Sequence, residues 1–259
     1  MTRFAANLTM MFNETGFLDR FSRAASAGFR GVEYLFPYEF EASAIRSELN
    51  RNELTQALFN LPPGNWAAGE RGLAALPGRE KHFEESVALA LAYARELGCE
   101  RLHVMAGLRQ PDIPDALQRQ TFVRNLRYAA RVFKPHGIQL LIEPINCYDM
   151  PGYYLSTPQQ AQSLLEEVGC ENVALQFDVY HCQIMTGNVM ATMRRMWPLI
   201  GHIQIASVPD RHEPDEGEMN YPWLFRQLDV LGYGGWVGCE YRPRGNTEAG
   251  LGWLQQAVL

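Results

Sequence analysis

The 259-residue chain is expected to be an α/β protein, one (β/α)8 TIM barrel spanning residues 1–259 as a single domain. Two observations support this. Strand-like and helix-like segments alternate from end to end, and eight candidate strands can be counted. The length also suits the roughly 250 residues that such barrels use. An open doubly wound sheet is the competing architecture. It is disfavoured because no G-x-G-x-x-G follows the first strand.

In chain order the candidate strands are "RFAANL" (3–8), "GVEYLF" (31–36), "LTQALFN" (54–60), "RLHVMA" (101–106), "IQLLIEP" (138–144), "NVALQFD" (172–178), "IGHIQIA" (200–206) and "GWVGCEY" (235–241). The segments between them carry helical spacing. In "ESVALALAYARELG" (85–98) Val87, Leu91, Ala94 and Leu97 share a face. "TPQQAQSLLEEVG" (157–169) opens with a Thr cap and Pro at the first helical position and stops at Gly. "TEAGLGWLQQAV" supplies a C-terminal helical stretch. Two connections are long and rich in special residues, 61–80 after the third strand and 207–222 after the seventh. Both follow strand C-termini, the face on which barrel active sites are built.

Bulk properties exclude several classes. The net charge of −6, with no basic run, argues against a nucleic-acid partner. No apolar stretch approaches the ~18 residues of a membrane span, and the N-terminal "MTRFAANLTMMF" is no signal core. The five cysteines, Cys99, Cys147, Cys170, Cys182 and Cys239, are odd in number and scattered without a C-x-x-C pair. Free thiols and a cytoplasmic location are therefore expected.

Four strand ends carry oxygen-bearing side chains. Strand five ends at Glu143, strand six at Asp178, strand seven carries Gln204, and strand eight ends at Glu240. Strand side chains alternate between faces. With Leu140 and Ile142 turned to the helices, Gln139, Leu141 and Glu143 point into the barrel; the same count turns Asp178, Gln204 and Glu240 inward. Each alone reads as a solvated rim charge, but four in register converge at the barrel mouth. Three carboxylates in one cavity repel one another unless a cation neutralises them. An all-oxygen set suits a hard divalent ion, Mg²⁺ or Mn²⁺, better than zinc. Glu143 and Glu240 would then flank a chelated 2-hydroxy ketone, one removing a carbon-bound proton and the other returning it to the next carbon. That pattern points to an aldose–ketose isomerisation and leaves metal-dependent hydrolysis open.

The segments "RFAANLTMMF", "GFRGVEYLFPY" (28–38), "NLPPGNWAAGERGLAALPGRE" (60–80), "LLIEPIN" (140–146), "FDVYH" (177–181), "GHIQIASVPDRHEPDEGEMNY" (201–221) and "GWVGCEYRP" (235–243) make the chain recognisable. It resembles the hydroxypyruvate isomerase family of xylose-isomerase-like barrels over essentially its whole length. The resemblance implies interconversion of hydroxypyruvate and 2-hydroxy-3-oxopropanoate (tartronate semialdehyde), with Glu143 and Glu240 as the proton-transfer pair. It implies a divalent metal on Glu143, Asp178, position 204 and Glu240; related epimerases often carry His at that position, where this chain has Gln204. A similar group acts on 2-oxo-tetronate, a four-carbon acid, by the same chemistry, and "PDRHEPDEGEMNYPWLF" resembles that group too. The three-carbon acid is favoured on "AAGERG" and "IEPIN".

His181 is implied to hydrogen-bond the substrate; its alternative is a buried, satisfied imidazole. Arg71 and Arg211, on the two long loops, are candidates to grip a substrate carboxylate, with Glu70 beside Arg71; either Arg could instead pair with a neighbouring acid, Glu70 or Asp210. His202 and His103 read as core filling, and Trp66, Tyr221 and Trp223 as pocket walls or packing. The expected partner is a small hydroxy-keto acid, and self-association into a homo-oligomer is compatible with the chain. A phosphodiesterase of the DNA-repair barrel kind would call for more histidines than the six present and a basic groove. A non-catalytic sugar-acid binding barrel would not need two opposed glutamates.

Overall fold

A computed structural model describes residues 2–257. Residues 1, 258 and 259, assigned above to the same domain, lie outside the described residues. The strands β1 (Arg3–Asn7), β2 (Gly31–Tyr34), β3 (Thr55–Asn60), β4 (Arg101–His103), β5 (Gln139–Ile142), β6 (Val173–Asp178), β7 (Ile200–Ile205) and β8 (Trp236–Cys239) form a closed barrel in sequence order. Every neighbouring pair, including β1 with β8, is parallel. The helices α1 (Asp19–Ser26), α2 (Ala42–Arg51), α3 (Glu80–Leu97), α4 (Asp115–Phe133) and α5 (Pro158–Val168) fill the first five crossovers. The β6–β7 crossover holds two helices, α6 (Val179–Met185) and α7 (Val189–Met196), and α8 (Tyr221–Val230) and α9 (Gly252–Ala257) complete the ring. No helix among the described residues is long and apolar enough to cross a membrane, and the five cysteines are free thiols.

Local signals account for the helix ends. Thr157 Oγ1 accepts from the Gln160 amide at 3.2 Å, Pro158 occupies the first turn, and Gly169 closes α5 at φ 62°. The fourth strand stops earlier than its apolar run. Val104 donates its amide to Leu141, but Ala106 turns away to bridge Gly72 of the 61–80 connection. Gly72 is required there, because it has φ 118° and a Cβ would collide with the Met105 backbone.

Alternation splits the interior into two cores. Leu140, Ile142, Leu175, Phe177, Ile203 and Ile205 join the large apolar core between sheet and helices. Ala5, Ala57 and Trp236, and separately Leu58, Leu141 and Ala174, form small apolar clusters inside the barrel. Above them lies a polar belt around Glu33, a fully buried β2 residue. Its carboxylate accepts from Asn7 Nδ2 at 3.0 Å, Gln204 Nε2 at 2.8 Å and His202 Nε2 at 2.8 Å. It occupies the space that a side chain at Gly238 would take, since a Cβ built on Gly238 would fall on the Glu33 carboxylate.

Gly238→Ala is therefore expected to destabilise the barrel by about 1–3 kcal/mol through overpacking. The effect should appear as a lower denaturant midpoint at an unchanged m-value, and an unaltered midpoint would contradict the assignment of that space to Glu33.

Candidate functional site

The mouth of the barrel is assembled from strand ends that leave the ladder at acidic residues. Glu143 follows β5 directly, and Pro144, lacking an N–H, cannot extend the strand. Asp178 closes β6 and caps α6, its Oδ1 accepting from the Tyr180 amide at 2.8 Å. Its other oxygen, Oδ2, is left facing the cavity. Glu240 follows β8. Glu143, Asp178, His181 and Glu240 are all buried, and one ligand atom from each lies within 4.8 Å of the others. His181 Nε2 stands 3.8 Å from Glu143 Oε1 and 3.6 Å from Asp178 Oδ2. Those two carboxylate oxygens have no hydrogen-bond partner among the described residues. Buried unpaired carboxylate oxygens are costly, so this donor set fits a divalent cation, and the cluster can hold a metal.

The charges raise one another's energy. Burial, and then the charges of Glu240 and Asp178, push the Glu143 carboxyl well above the ordinary carboxylate range. Burial pushes Glu240 up to about 8, with Arg211 pulling the other way. Burial likewise raises Asp178 to about 6 against the opposing pull of Arg211. Arg211 is the cation inside this group. Burial acts to lower its pKa, yet Glu240, Asp178, Asp149 and Glu143 hold it above its usual value. Its NH2 donates to Glu240 Oε2 at 2.8 Å and its NH1 to Asp149 Oδ2 at 2.9 Å. The guanidinium lies 4.9 Å from the centroid of the Tyr180 ring. The backbone of Arg211 is left-handed at φ 58°, a strained conformation for a non-glycine residue and one that clusters at functional sites.

The remaining candidates divide. Gln204 is buried beside the cluster, but its amide is turned to the belt below: Nε2 donates to Glu33 and Oε1 accepts from Gln176 Nε2 at 2.5 Å. A fully buried carboxylate is the strongest acceptor within its reach, and the ring of His181 stands beside the three carboxylates. Arg71 makes its contacts within its own loop. It lies over the Trp66 ring at 4.0 Å from the centroid and donates to the backbone oxygens of Trp66 and Glu70. The Glu70 carboxylate pairs with Arg79 and accepts from the Asn65 amide. No hydrogen bond or ion pair joins Arg71 or Glu70 to the Glu143 cluster among the described residues. These contacts brace the 61–80 loop. Arg211 pairs with Asp149 and Glu240, not with its neighbour Asp210.

Sequence reasoning missed Glu33, Asn7, Asn146 and Asp149. For Glu33 the signal was available: in "GVEYLF" Val32 and Tyr34 face the helices, so the count applied to Glu143 also turns Glu33 inward. Asn146 and Asp149 sit on a loop where no periodicity applies. His103, read as core filling, is buried with its Nδ1 at 3.6 Å from Glu143 Oε2, and burial lowers its pKa to about 3.

Comparison with known proteins agrees with this geometry. Residues 21–257 match the family model described as the xylose isomerase-like TIM barrel. The chain is 58% identical over 255 residues to a protein of Cupriavidus necator named 2-oxo-tetronate isomerase, covering 98% of each. It is 48% identical over 254 residues to the hydroxypyruvate isomerase of Escherichia coli, again covering 98% of each. A crystal structure from Brucella melitensis, described as an AP endonuclease of family 2, superposes at a TM-score of 0.97 with 54% identity over 99% of both chains. A closed parallel barrel, three inward carboxylates at its mouth and a family match over most of the chain lead to one conclusion: the protein belongs to the xylose isomerase-like TIM barrel family.

Proposed function

We propose that this chain is an isomerase that interconverts hydroxypyruvate and 2-hydroxy-3-oxopropanoate by carrying a proton between neighbouring carbons through an enediolate. The observation that carries this reading is the placement of two buried glutamates, Glu143 after β5 and Glu240 after β8, in one cavity. One carboxylate takes the proton from the carbon bearing the hydroxyl, the other carboxyl gives a proton to the former carbonyl carbon, and the hydroxyl proton passes to the former carbonyl oxygen; exchange with solvent resets the two carboxyls, and the roles exchange in the reverse direction. Burial raises both glutamates in the metal-free protein, and a bound cation would favour the ionised carboxylate that takes a proton. Arg211 holds Glu240 through NH2, while its buried Nε–H has no partner among the described residues and is free for the substrate carboxylate. Glu143, Asp178 and Glu240 would be the oxygen donors for Mg²⁺ or Mn²⁺, hard ions suited to carboxylates. Such an ion, when bound, supplies positive charge that stabilises the enediolate.

A specific observation favours a second substrate. The 58% identical relative is named a 2-oxo-tetronate isomerase, against 48% for the named hydroxypyruvate isomerase. The four-carbon acid differs by one hydroxymethyl group on the carbon that loses its proton, and the chemistry is the same. The endonuclease chemistry named for the Brucella relative does not fit this site. Phosphodiester hydrolysis on a barrel of that kind calls for several metals and a basic groove, whereas the described residues hold one ligand-bearing group and the chain carries a net charge of −6.

In D₂O the protein should place deuterium in the carbon framework of hydroxypyruvate, and EDTA should abolish this. Glu143→Gln and Glu240→Gln should each lower turnover by about 10²–10⁴-fold, the usual contribution of a general acid or base. Parallel rates on a 2-oxo-tetronate rank the two acids. Phosphodiester cleavage without exchange, or full activity in either variant, would overturn the reading.

Metal-free stability should depend on pH in a defined direction. The folded-state values of Glu143, Asp178 and Glu240 lie above their unfolded values, so the native state holds more protons than the unfolded chain between them. Stability is then greatest below the unfolded pKa and falls as pH rises from about 4 to about 8. Melting of EDTA-treated protein should show that decline. Mg²⁺ or Mn²⁺ at about 100 times its Kd should reverse it by about 2.7 kcal/mol, roughly 5–11 °C for a chain of this size.

A further inference from the structure

The geometry points to Asn146 as a positioning residue that fixes the ring tautomer of His181, so that the imidazole meets the cavity as a hydrogen-bond donor and not as a metal ligand. Asn146 lies three residues beyond Glu143 and is fully buried. Its Oδ1 accepts from the backbone amides of Tyr148 at 3.0 Å and Asp149 at 2.8 Å. Backbone amides only donate, so the side-chain oxygen cannot be exchanged with the nitrogen by flipping the group. Nδ2 must therefore be the atom facing His181 Nδ1 at 2.7 Å. The Asn146 backbone amide also donates to the same ring nitrogen at 3.3 Å. Nδ1 thus meets two donors, and it can only be the lone-pair nitrogen. A neutral imidazole has one N–H, which is left on Nε2, the atom turned towards Glu143 Oε1 and Asp178 Oδ2.

Two consequences follow for the proposed isomerisation. His181 gives a proton-bearing nitrogen to a substrate oxygen, polarising it in both directions of the reaction without itself changing charge. The ring also withholds its lone pair from any ion at the mouth, leaving oxygen donors alone and so favouring hard ions over zinc or nickel, which take imidazole readily. The ion preference of the cluster is in this sense set from outside it, by a side chain that touches neither ion nor substrate.

The test reads the ring directly. In uniformly ¹⁵N-labelled protein, with His181 identified by its loss in His181→Gln, long-range ¹H–¹⁵N correlations should show a pyrrole-type Nε2 and a pyridine-type Nδ1. Asn146→Asp sets a carboxylate oxygen against Nδ1. It should move the proton there, seen as a reversed pattern or a ring protonated on both nitrogens. With the reversed pattern, calorimetric titration should show Ni²⁺ and Zn²⁺ gaining at least about tenfold in affinity relative to Mg²⁺. Turnover should fall about 10–100-fold, the usual effect of losing an outer-shell partner, with the larger part in kcat. A wild-type ring carrying its proton on Nδ1 overturns the assignment, as does an Asn146→Asp protein with unchanged ring pattern and ion preference. The activity arm rests on the isomerase reading, whereas the nitrogen shifts do not. The expected ring pattern in a wild-type protein that turns over neither acid supports the Asn146 assignment and removes only the isomerase.

Discussion

Like charges taken out of water destabilise one another, and this barrel gathers Glu143, Asp178 and Glu240 into one buried cavity. Most of the polar architecture around the mouth answers that repulsion. Arg211 supplies a guanidinium between Glu240 and Asp149, Asp178 gives one oxygen to the start of α6, and the oxygens left over are those facing the cavity. A carboxylate cluster built only for stability would have each lone pair matched by a donor. Here the matching stops short, and the unmatched oxygens are those best placed to meet a cation.

The division of labour between strands and loops follows from their rigidity. Strand ends fix the carboxylates, because a position in the ladder leaves little freedom to the residue that follows it. The loops bring what the strands cannot. The connection after β7 delivers Arg211, and that after β5 folds back on itself so that Asn146 can grip both Asp149 and His181. Arg244 draws Glu213, Asp215 and Glu216 together, tying the segment after β8 to the loop that carries Arg211.

How much of this was legible depends on periodicity. The barrel and the inward facing of Glu143, Asp178, Gln204 and Glu240 followed from alternation, since a strand permits only two directions for a side chain. The same count would have found Glu33, whose role was hidden because one acid within "GVEYLF" reads as an ordinary strand residue. Alternation states where Gln204 points but not what its amide bonds to, and the neighbouring Glu33 decided that. Arg71 and Glu70 lie on a loop, where spacing carries no direction, and their partners Trp66 and Arg79 are set by the local turn. Asn146 was visible as a letter in "IEPIN", but its work depends on backbone amides that a sequence does not display.

The belt of Asn7, Glu33, Gln176, His202 and Gln204 lies above tightly filled apolar layers. Beneath the belt the barrel interior is thus occupied by apolar side chains. Substrate and product then pass on the side of the connection after β7, which carries Arg211 to Glu240. A hydrogen lifted from carbon stays on the carboxylate that took it, while the other carboxyl supplies the adjacent carbon, so it leaves by exchange with solvent. Label from the starting carbon should therefore reach the solvent and not the product, and its retention would mean that a single carboxylate serves both carbons.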